Sequence, residues 1–167
     1  MYHSIYFKDV EHDVTKNTWT DWCLIPSERP VVSQPGVTYK YVDIPGRSGA
    51  IDLTTYLTGS PVLNDRSGSF SFYVDNNHPE LGTWADRKMA IATFLHSSEE
   101  MYMILEDDPE YCYIGRFNMK EWRPGSNNSM VSIEYRVRPL KYPVSNLISN
   151  IGGEVNDNLV GTGGVLG

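Results

Sequence analysis

A glycine-containing loop, IPGRSG at residues 44–49, is the first place where this sequence could bind phosphate or carry a nucleophile. A phosphate-binding loop is longer, ends in Gly-Lys-Ser/Thr and opens a helix, and the lysine is missing here. A nucleophile elbow requires Gly-x-Ser-x-Gly, whereas Ser48 lies in Gly-Arg-Ser-Gly. The residues favour a tight turn instead, in which Gly46 and Gly49 adopt positive φ after Pro45.

A second group of reactive side chains is the acidic segment EDDPE at residues 106–110. Its carboxylates could bind a hard cation or act as an acid–base pair. The spacing of a calcium-binding loop is absent, however, and Asp and Pro are typical of a hairpin turn. We interpret the segment as a solvated turn. A small hydrolase that uses Asp107 and Asp108 is kept as an alternative.

The histidines and cysteines form no recognisable metal site. Both cysteines occur in apolar, strand-like runs, so we predict two buried free thiols and no disulfide. The histidines follow no ligand spacing such as His-x-x-x-His. We therefore expect no metal, no cofactor and no enzymatic activity. The residues concerned are His3, His12, His78, His96, Cys23 and Cys112.

The composition limits the class of protein further. A chain of 167 residues suits one domain, with 40% hydrophobic and 21% charged residues as in ordinary globular proteins. The net charge of −7 argues against sequence-specific nucleic-acid binding, which needs a basic surface. No stretch reaches the roughly 20 apolar residues that cross a bilayer, and the polar start is unlike a signal peptide. We expect a soluble protein that is neither inserted in a membrane nor exported.

The elements that must position these residues are mostly strands. An apolar stripe at helical spacing predicts one helix, at 83–96, in which Thr83 is the N-cap and Asp86 favours the positive end of the helix dipole. The stripe consists of Trp84, Ala90, Ile91, Phe94 and Leu95. Period-two alternation and turn residues predict the strands. The chain thus runs through strands, one helix and then a meander of three strands. This order predicts a mainly β fold, an antiparallel β-sandwich or open barrel with one flanking helix. The predicted strands are 2–7, 16–26, 37–44, 68–74, 101–106, 111–119 and 130–140.

The amino-acid composition changes near residue 142. The stretch 143–167 is rich in glycine, lacks aromatic residues after Tyr142, and carries only Glu154 and Asp157 as charges. Such a segment cannot build a core of its own. We predict a β domain at 1–142 followed by a Gly-rich arm at 143–167, which is either frayed or packed on a partner.

Four segments of this chain resemble, in order and spacing, the N-terminal domain of distal tail proteins from phages with long flexible tails and from prophages. The first is a Trp-rich strand, and the second has the pattern Ile-Pro-Gly-basic-x-Gly-x-Ile-Asp-Leu-Thr. The third is Asp-Arg-Ser-Gly-Ser-Phe-Ser-Phe, and the fourth is an acidic turn that leads into a Tyr-Ile-Gly-Arg strand. The resemblance covers residues 2–140 and is carried by 16–26, 44–54, 65–72 and 104–117.

This resemblance implies a tail-tube-like fold and a structural role in the virion tail or baseplate. Six copies would form a ring that joins the tail tube to the adhesion hub and lets DNA pass, after synthesis in the bacterial host cytoplasm. The second, carbohydrate-module-like domain that such proteins often carry is not expected here. Interface or loop-fixing roles fall, on this basis, to Pro45, Gly46, Arg47, Gly49, Asp52, Arg66 and Gly68.

A binding module of another class remains an alternative. The sequence holds four Trp, 11 Tyr and five Phe, and exposed aromatic rings can stack on sugars. Most of these rings occupy alternating strand positions, which favours a core or a subunit contact. A carbohydrate-binding module for host-surface attachment would need at least two coplanar exposed rings in a groove.

Overall fold

A computed structural model describes residues 2–96, 99–125, 129–145 and 165–167. Most of the predicted 143–167 arm therefore lies outside the described residues. The helix is α1 (Trp84–Leu95), preceded by a short 3₁₀ helix (Pro79–Leu81). The strands are β1 (Ile5–Asp9), β2 (Val14–Asn17), β3 (Leu24–Pro26), β4 (Val37–Thr38), β5 (Tyr41–Val42), β6 (Ile51–Asp52), β7 (Val62–Leu63), β8 (Arg66–Val74), β9 (Met101–Leu105), β10 (Asp108–Arg123), β11 (Ser129–Val137) and β12 (Tyr142–Pro143).

One antiparallel sheet forms the body of the molecule. Its strand order is β2-β1-β9-β10-β11-β8-β3, and β12 pairs with one end of β10. The sheet curls into a half-barrel, and α1 packs on it through β10. The prediction of a mainly β fold with one flanking helix is thus confirmed.

The core lies on the concave side and follows the alternation of the strands. On β8, Phe70, Phe72 and Val74 are buried, as their period-two spacing predicts. The same pattern recurs on β9 and β11. Ile91 and Leu95 of α1 complete the core from the helix side. Both cysteines are buried and free, as predicted.

The predicted single strand at 16–26 is wrong, because the chain turns within it. The side-chain oxygen of Asn17 accepts hydrogen bonds from the backbone N–H groups of Trp19 and Thr20, at 2.8 and 3.0 Å. The Asp21 carboxylate in turn accepts from the Asn17 N–H, and Cys23 has a φ of 51°. These local bonds replace a strand ladder. They send β2 and β3 to opposite edges of the sheet.

The helix begins as predicted. Thr83 is the N-cap, and it forms a capping box in which its side chain and that of Asp86 bond to each other's backbone N–H. Of the apolar stripe at helical spacing, Ile91 and Leu95 are buried but Trp84 is exposed, and the polar Arg87 is buried as well. The Arg87 guanidinium donates to the carbonyl of Asp75 at 2.6 Å. No helix among the described residues is long and apolar enough to span a bilayer.

Candidate interaction site

A two-part β-ribbon formed by residues 37–63 projects from the body. It is called the arm below and is distinct from the Gly-rich stretch 143–167. Strands β4 and β7 pair at its base, and β5 and β6 pair beyond them. No residue within 37–63 is buried. The predicted single strand at 37–44 is therefore two short strands that face no core. The period-two alternation at 37–44 therefore does not reflect burial of one face, since neither face of this ribbon packs on a core.

The arm carries large apolar side chains that it cannot bury itself. Tyr39 and Tyr41 are 65% and 60% exposed, and their rings stack with centroids 6.3 Å apart. Tyr56 and Leu57 are 78% and 81% exposed. A cluster of exposed apolar groups on a protruding element is typical of a protein–protein contact. The arm is thus the candidate interaction site of this molecule.

The tip of the arm has the tight turn that the sequence predicts. The Arg47 N–H donates to the Ile44 carbonyl at 3.1 Å, which closes a four-residue turn around Pro45 and Gly46. The φ angles of Gly46 and Gly49 are 82° and 83°. Pro at the second position and Gly with positive φ at the third define a type II turn. Arg47 is consequently presented at the exposed end of the arm.

Asp52 fixes the bend that follows the tip. Its carboxylate accepts a hydrogen bond from the Thr54 N–H at 2.8 Å. Bonding to Thr54 lowers the pKa of the Asp52 carboxyl. The Thr54 hydroxyl oxygen accepts from the Lys40 N–H, and the Leu53 N–H donates to the Lys40 carbonyl. The Ile-Asp-Leu-Thr pattern is thus a structural bend that orients the exposed side chains after it.

The structure separates the remaining two candidate residues from the arm tip. Arg66 and Gly68 lie on β8 in the body, and Arg66 is only 1% exposed. A Cβ on Gly68 would lie 2.5 Å from the hydroxyl oxygen of Tyr135. That hydroxyl also accepts the Ser33 N–H, and the Tyr135 ring stacks on Phe70. Gly68 is needed for this close approach, so its place is in the core packing.

A turn joins β9 to β10, but it is shorter than the predicted solvated turn at 106–110, because Asp108 already pairs with Leu105 as the first residue of β10. The carboxylates of Asp107 and Asp108 each have a charged partner. Asp107 lies 2.8 Å from both Arg29 Nε and His3 Nδ1. Hydrogen bonds from Arg29 and then His3 lower the pKa of Asp107, which keeps this carboxyl ionised at neutral pH. Asp108 is paired with Lys141 at 2.6 Å. This arrangement supplies structural ion pairs for Asp107 and Asp108.

Metal-binding chemistry finds little support in the same residues. Within the described ranges, no three His, Cys, Asp or Glu side chains stand close enough to hold an ion. Burial raises the pKa of the Cys112 thiol to about 11, so it stays protonated at neutral pH. A protonated buried thiol is a poor nucleophile and a poor metal ligand.

Sequence reasoning missed the side chains of the arm that follow its tip. Tyr56 and Leu57 stand in a stretch without period-two alternation, so no pattern marked them as part of a surface. A usable signal was the density of turn residues at both ends of the arm. Pro35-Gly36 precedes it, and Gly59-Ser60-Pro61 closes it.

Comparison with known proteins supports the fold. Neither a protein-family model nor a curated protein sequence matches this chain. The crystal structure of SPP1 Dit (gp 19.1), described as a paradigm of the hub adsorption apparatus in phages infecting Gram-positive bacteria, is similar with a TM-score of 0.58. The identity is 19%, and the alignment covers 83% of this chain and 52% of that one. The chain thus spans about half the length of SPP1 Dit and shares its fold over that part.

Proposed function

We propose that this protein is a structural subunit of a phage or prophage tail tip, in which six copies form a ring between the tail tube and the adhesion hub. The observation that carries the proposal is the arm, which exposes Tyr39, Tyr41, Tyr56 and Leu57 and has no buried residue of its own. The fold shared with SPP1 Dit supports the same role.

The arm suits a head-to-tail contact between copies. Such a contact joins two different patches, and it closes into a ring when the rotation between copies is constant. The arm of one copy would pack its apolar side chains on the body of the next. Arg47 of the tip turn and Asp52 of β6 would set the register of this contact through charge pairing. Tail-tube and hub proteins would bind the two faces of the ring.

The decisive experiment measures assembly of the wild-type protein by mass photometry and electron microscopy. We expect six-membered rings, and we expect Tyr56→Ser combined with Leu57→Ser to give monomers. The melting temperature of that variant should stay unchanged, because both side chains are largely exposed in the single subunit. Met89→Ser is the matched control, since Met89 is exposed on α1 and lies outside the arm.

Two results would count against this function. One is a wild-type protein that stays monomeric at every concentration tested. The other is an arm variant that assembles like the wild type. A wild-type ring of another copy number would keep the structural role and correct the stoichiometry only.

A carbohydrate-binding module is the second candidate, and one observation favours it. Tyr39 and Tyr41 are exposed, and their ring planes differ by only 22°. Near-parallel rings of this kind can stack on the apolar faces of a sugar chain. A glycan array would reveal such binding, which should disappear in Tyr41→Ala. Binding that survives Tyr41→Ala, or no binding at all, would argue against this candidate.

A further inference from the structure

Arg66 is a buried cation whose hydrogen bonds all go to main-chain oxygens among the described residues. Its Nε donates to the Pro139 carbonyl at 2.7 Å, and one terminal nitrogen donates to the backbone oxygen of Gly167 at 2.5 Å. A longer bond of 3.4 Å reaches the Ser33 carbonyl, and the guanidinium lies 5.5 Å from the centre of the Tyr113 ring. Its second terminal nitrogen is buried without a hydrogen-bond partner among the described residues. A buried cation is costly unless such acceptors surround it.

The backbone oxygen of Gly167 reaches Arg66 because residues 165–167 lie against the body. Val165 and Lys141 exchange both backbone hydrogen bonds, at 2.8 and 2.9 Å, as an antiparallel pair. A Cβ on Gly167 would lie 2.3 Å from Cε of Lys141, so the backbone passes very close to that side chain. The Val165 and Leu166 side chains are 40% and 58% exposed. The segment is therefore held through its main chain and hardly at all by side-chain burial.

The Lys141 side chain lies beside the segment 165–167. Its ammonium group bonds to the Asp108 carboxylate at 2.6 Å and stands 4.2 Å from the centre of the Tyr111 ring. The Lys141 side chain is consequently fixed at the side of the segment. Asp108 of the acidic turn thereby gains a role that the proposed ring does not use. It positions the lysine.

We propose that Arg66, Lys141 and Asp108 form a main-chain-binding socket, and that its occupant is the segment 165–167 of the same chain. Pairing with Lys141 sets the register of the segment, and the Arg66 guanidinium binds the backbone oxygen of Gly167. The socket recognises the backbone of an extended segment, and glycine at its third position lets that backbone lie close to the Lys141 side chain. It fixes the point at which the chain returns to the body after β12.

The test removes one backbone donor while leaving the rest of the chain in place. Val165→Pro deletes the N–H that bonds to Lys141, whereas the matched Val165→Ala keeps it. Hydrogen–deuterium exchange should show a protected Lys141 amide in the wild type and in Val165→Ala. Protection should be lost in Val165→Pro, and the melting temperature should fall by about 2–6 °C. A Lys141 amide that exchanges freely in the wild type would overturn the proposal.

A second set of variants tests the role of Arg66 itself. Arg66→Met should also expose the Lys141 amide, whereas Arg136→Met, which removes an exposed arginine from β11, should not. Arg66→Met and Val165→Pro should destabilise less together than the sum of their separate effects, because both remove the same contact. Additive effects would contradict the socket. If Arg66→Met does not fold, Arg66→Lys keeps the charge with fewer donors and should give the same exchange result.

The protein concentration in these exchange experiments identifies the occupant. Protection of Lys141 that is independent of concentration supports a segment from the same chain. Protection that appears only at high concentration would mean that a neighbouring copy supplies the segment. That result would overturn the intramolecular socket.

Discussion

At the scale of single residues, the close approach of two backbones explains why certain positions are occupied by glycine. Gly115 of β10 faces β11, where a Cβ would lie 2.1 Å from the Arg136 carbonyl oxygen. A contact with backbone cannot be relieved by rotating a side chain, so the strands would have to separate. Gly115 is thus fixed by packing between two central strands.

We predict that Gly115→Ala lowers the free energy of unfolding by at least about 2 kcal/mol, as overpacked sites do. Gly36→Ala is the matched control, because its nearest neighbour would lie at an ordinary 3.4 Å and its backbone is unstrained. Urea denaturation followed by circular dichroism measures both changes. Equal stability of the two variants would contradict the packing argument.

Asp107 should make the protein sensitive to acid. Hydrogen bonds from Arg29 and His3 lower the pKa of its carboxyl in the folded state. A carboxyl with a lowered folded-state pKa stabilises the protein above its unfolded pKa of about 3.9, and this contribution is lost as the pH falls further. The arginine is largely exposed, so solvent screening keeps the contribution small.

We accordingly predict that Asp107→Asn costs about 1 kcal/mol of unfolding free energy at pH 7. The difference from the wild type should shrink towards zero as the pH is lowered past 4 to about 2.5. Asp43→Asn, on the exposed arm, should cost little at either pH. A pH-independent loss in Asp107→Asn would mean that the side chain acts through packing and not through its charge.

At the scale of elements, α1 shows a signal that is complete within the sequence. Thr83 and Asp86 are three positions apart, and the structure joins them as a capping box. The arm shows the opposite case, in which turn residues mark its two ends but the residues between them do not reveal which strands pair. Pairing of β4 with β7 joins Val37 to Leu63 and Thr38 to Val62, which are 26 and 24 residues apart in sequence, and no local pattern predicts it.

The helix cap yields a prediction of its own. Thr83→Ala should lower the free energy of unfolding by about 1 kcal/mol, because the helix loses the acceptor for the Asp86 N–H. Thr93→Ala changes an exposed threonine within the same helix and should be neutral or slightly stabilising, since alanine favours helices. Thermal unfolding of both variants checks the contrast. A destabilised Thr93→Ala and an unaffected Thr83→Ala would refute it.

At the scale of the whole molecule, the charge of −7 bears on the proposed passage of DNA through the ring. A wall of like charge repels the phosphate backbone, so the polymer passes without binding. The charge is a property of composition and holds for any arrangement of the copies.

We therefore predict that the assembled protein does not retard double-stranded DNA in an electrophoretic mobility assay. The assay should be run at about 0.01 M ionic strength, where the Debye length of about 30 Å makes charge effects strongest. A basic DNA-binding protein at the same concentration serves as the positive control. Retardation that decreases as salt is added would show a DNA-binding surface and argue against a passive channel.

The sequence by itself determined the features that arise between near neighbours. The capped helix, the type II turn at residues 44–47, the acidic hairpin turn and the alternating core strands all follow from contacts within a few residues or from period-two burial. Only the tertiary structure decided which residues meet across the chain. Arg66 and Gly68 belong to the body while Pro45 to Asp52 lie on the arm, and β2 and β3 take opposite sheet edges. The physical reason is that local hydrogen bonds and the burial of alternate residues each require particular residue types at short, regular spacings. Pairing between distant strands depends instead on contacts between segments far apart in the sequence, which no local pattern specifies.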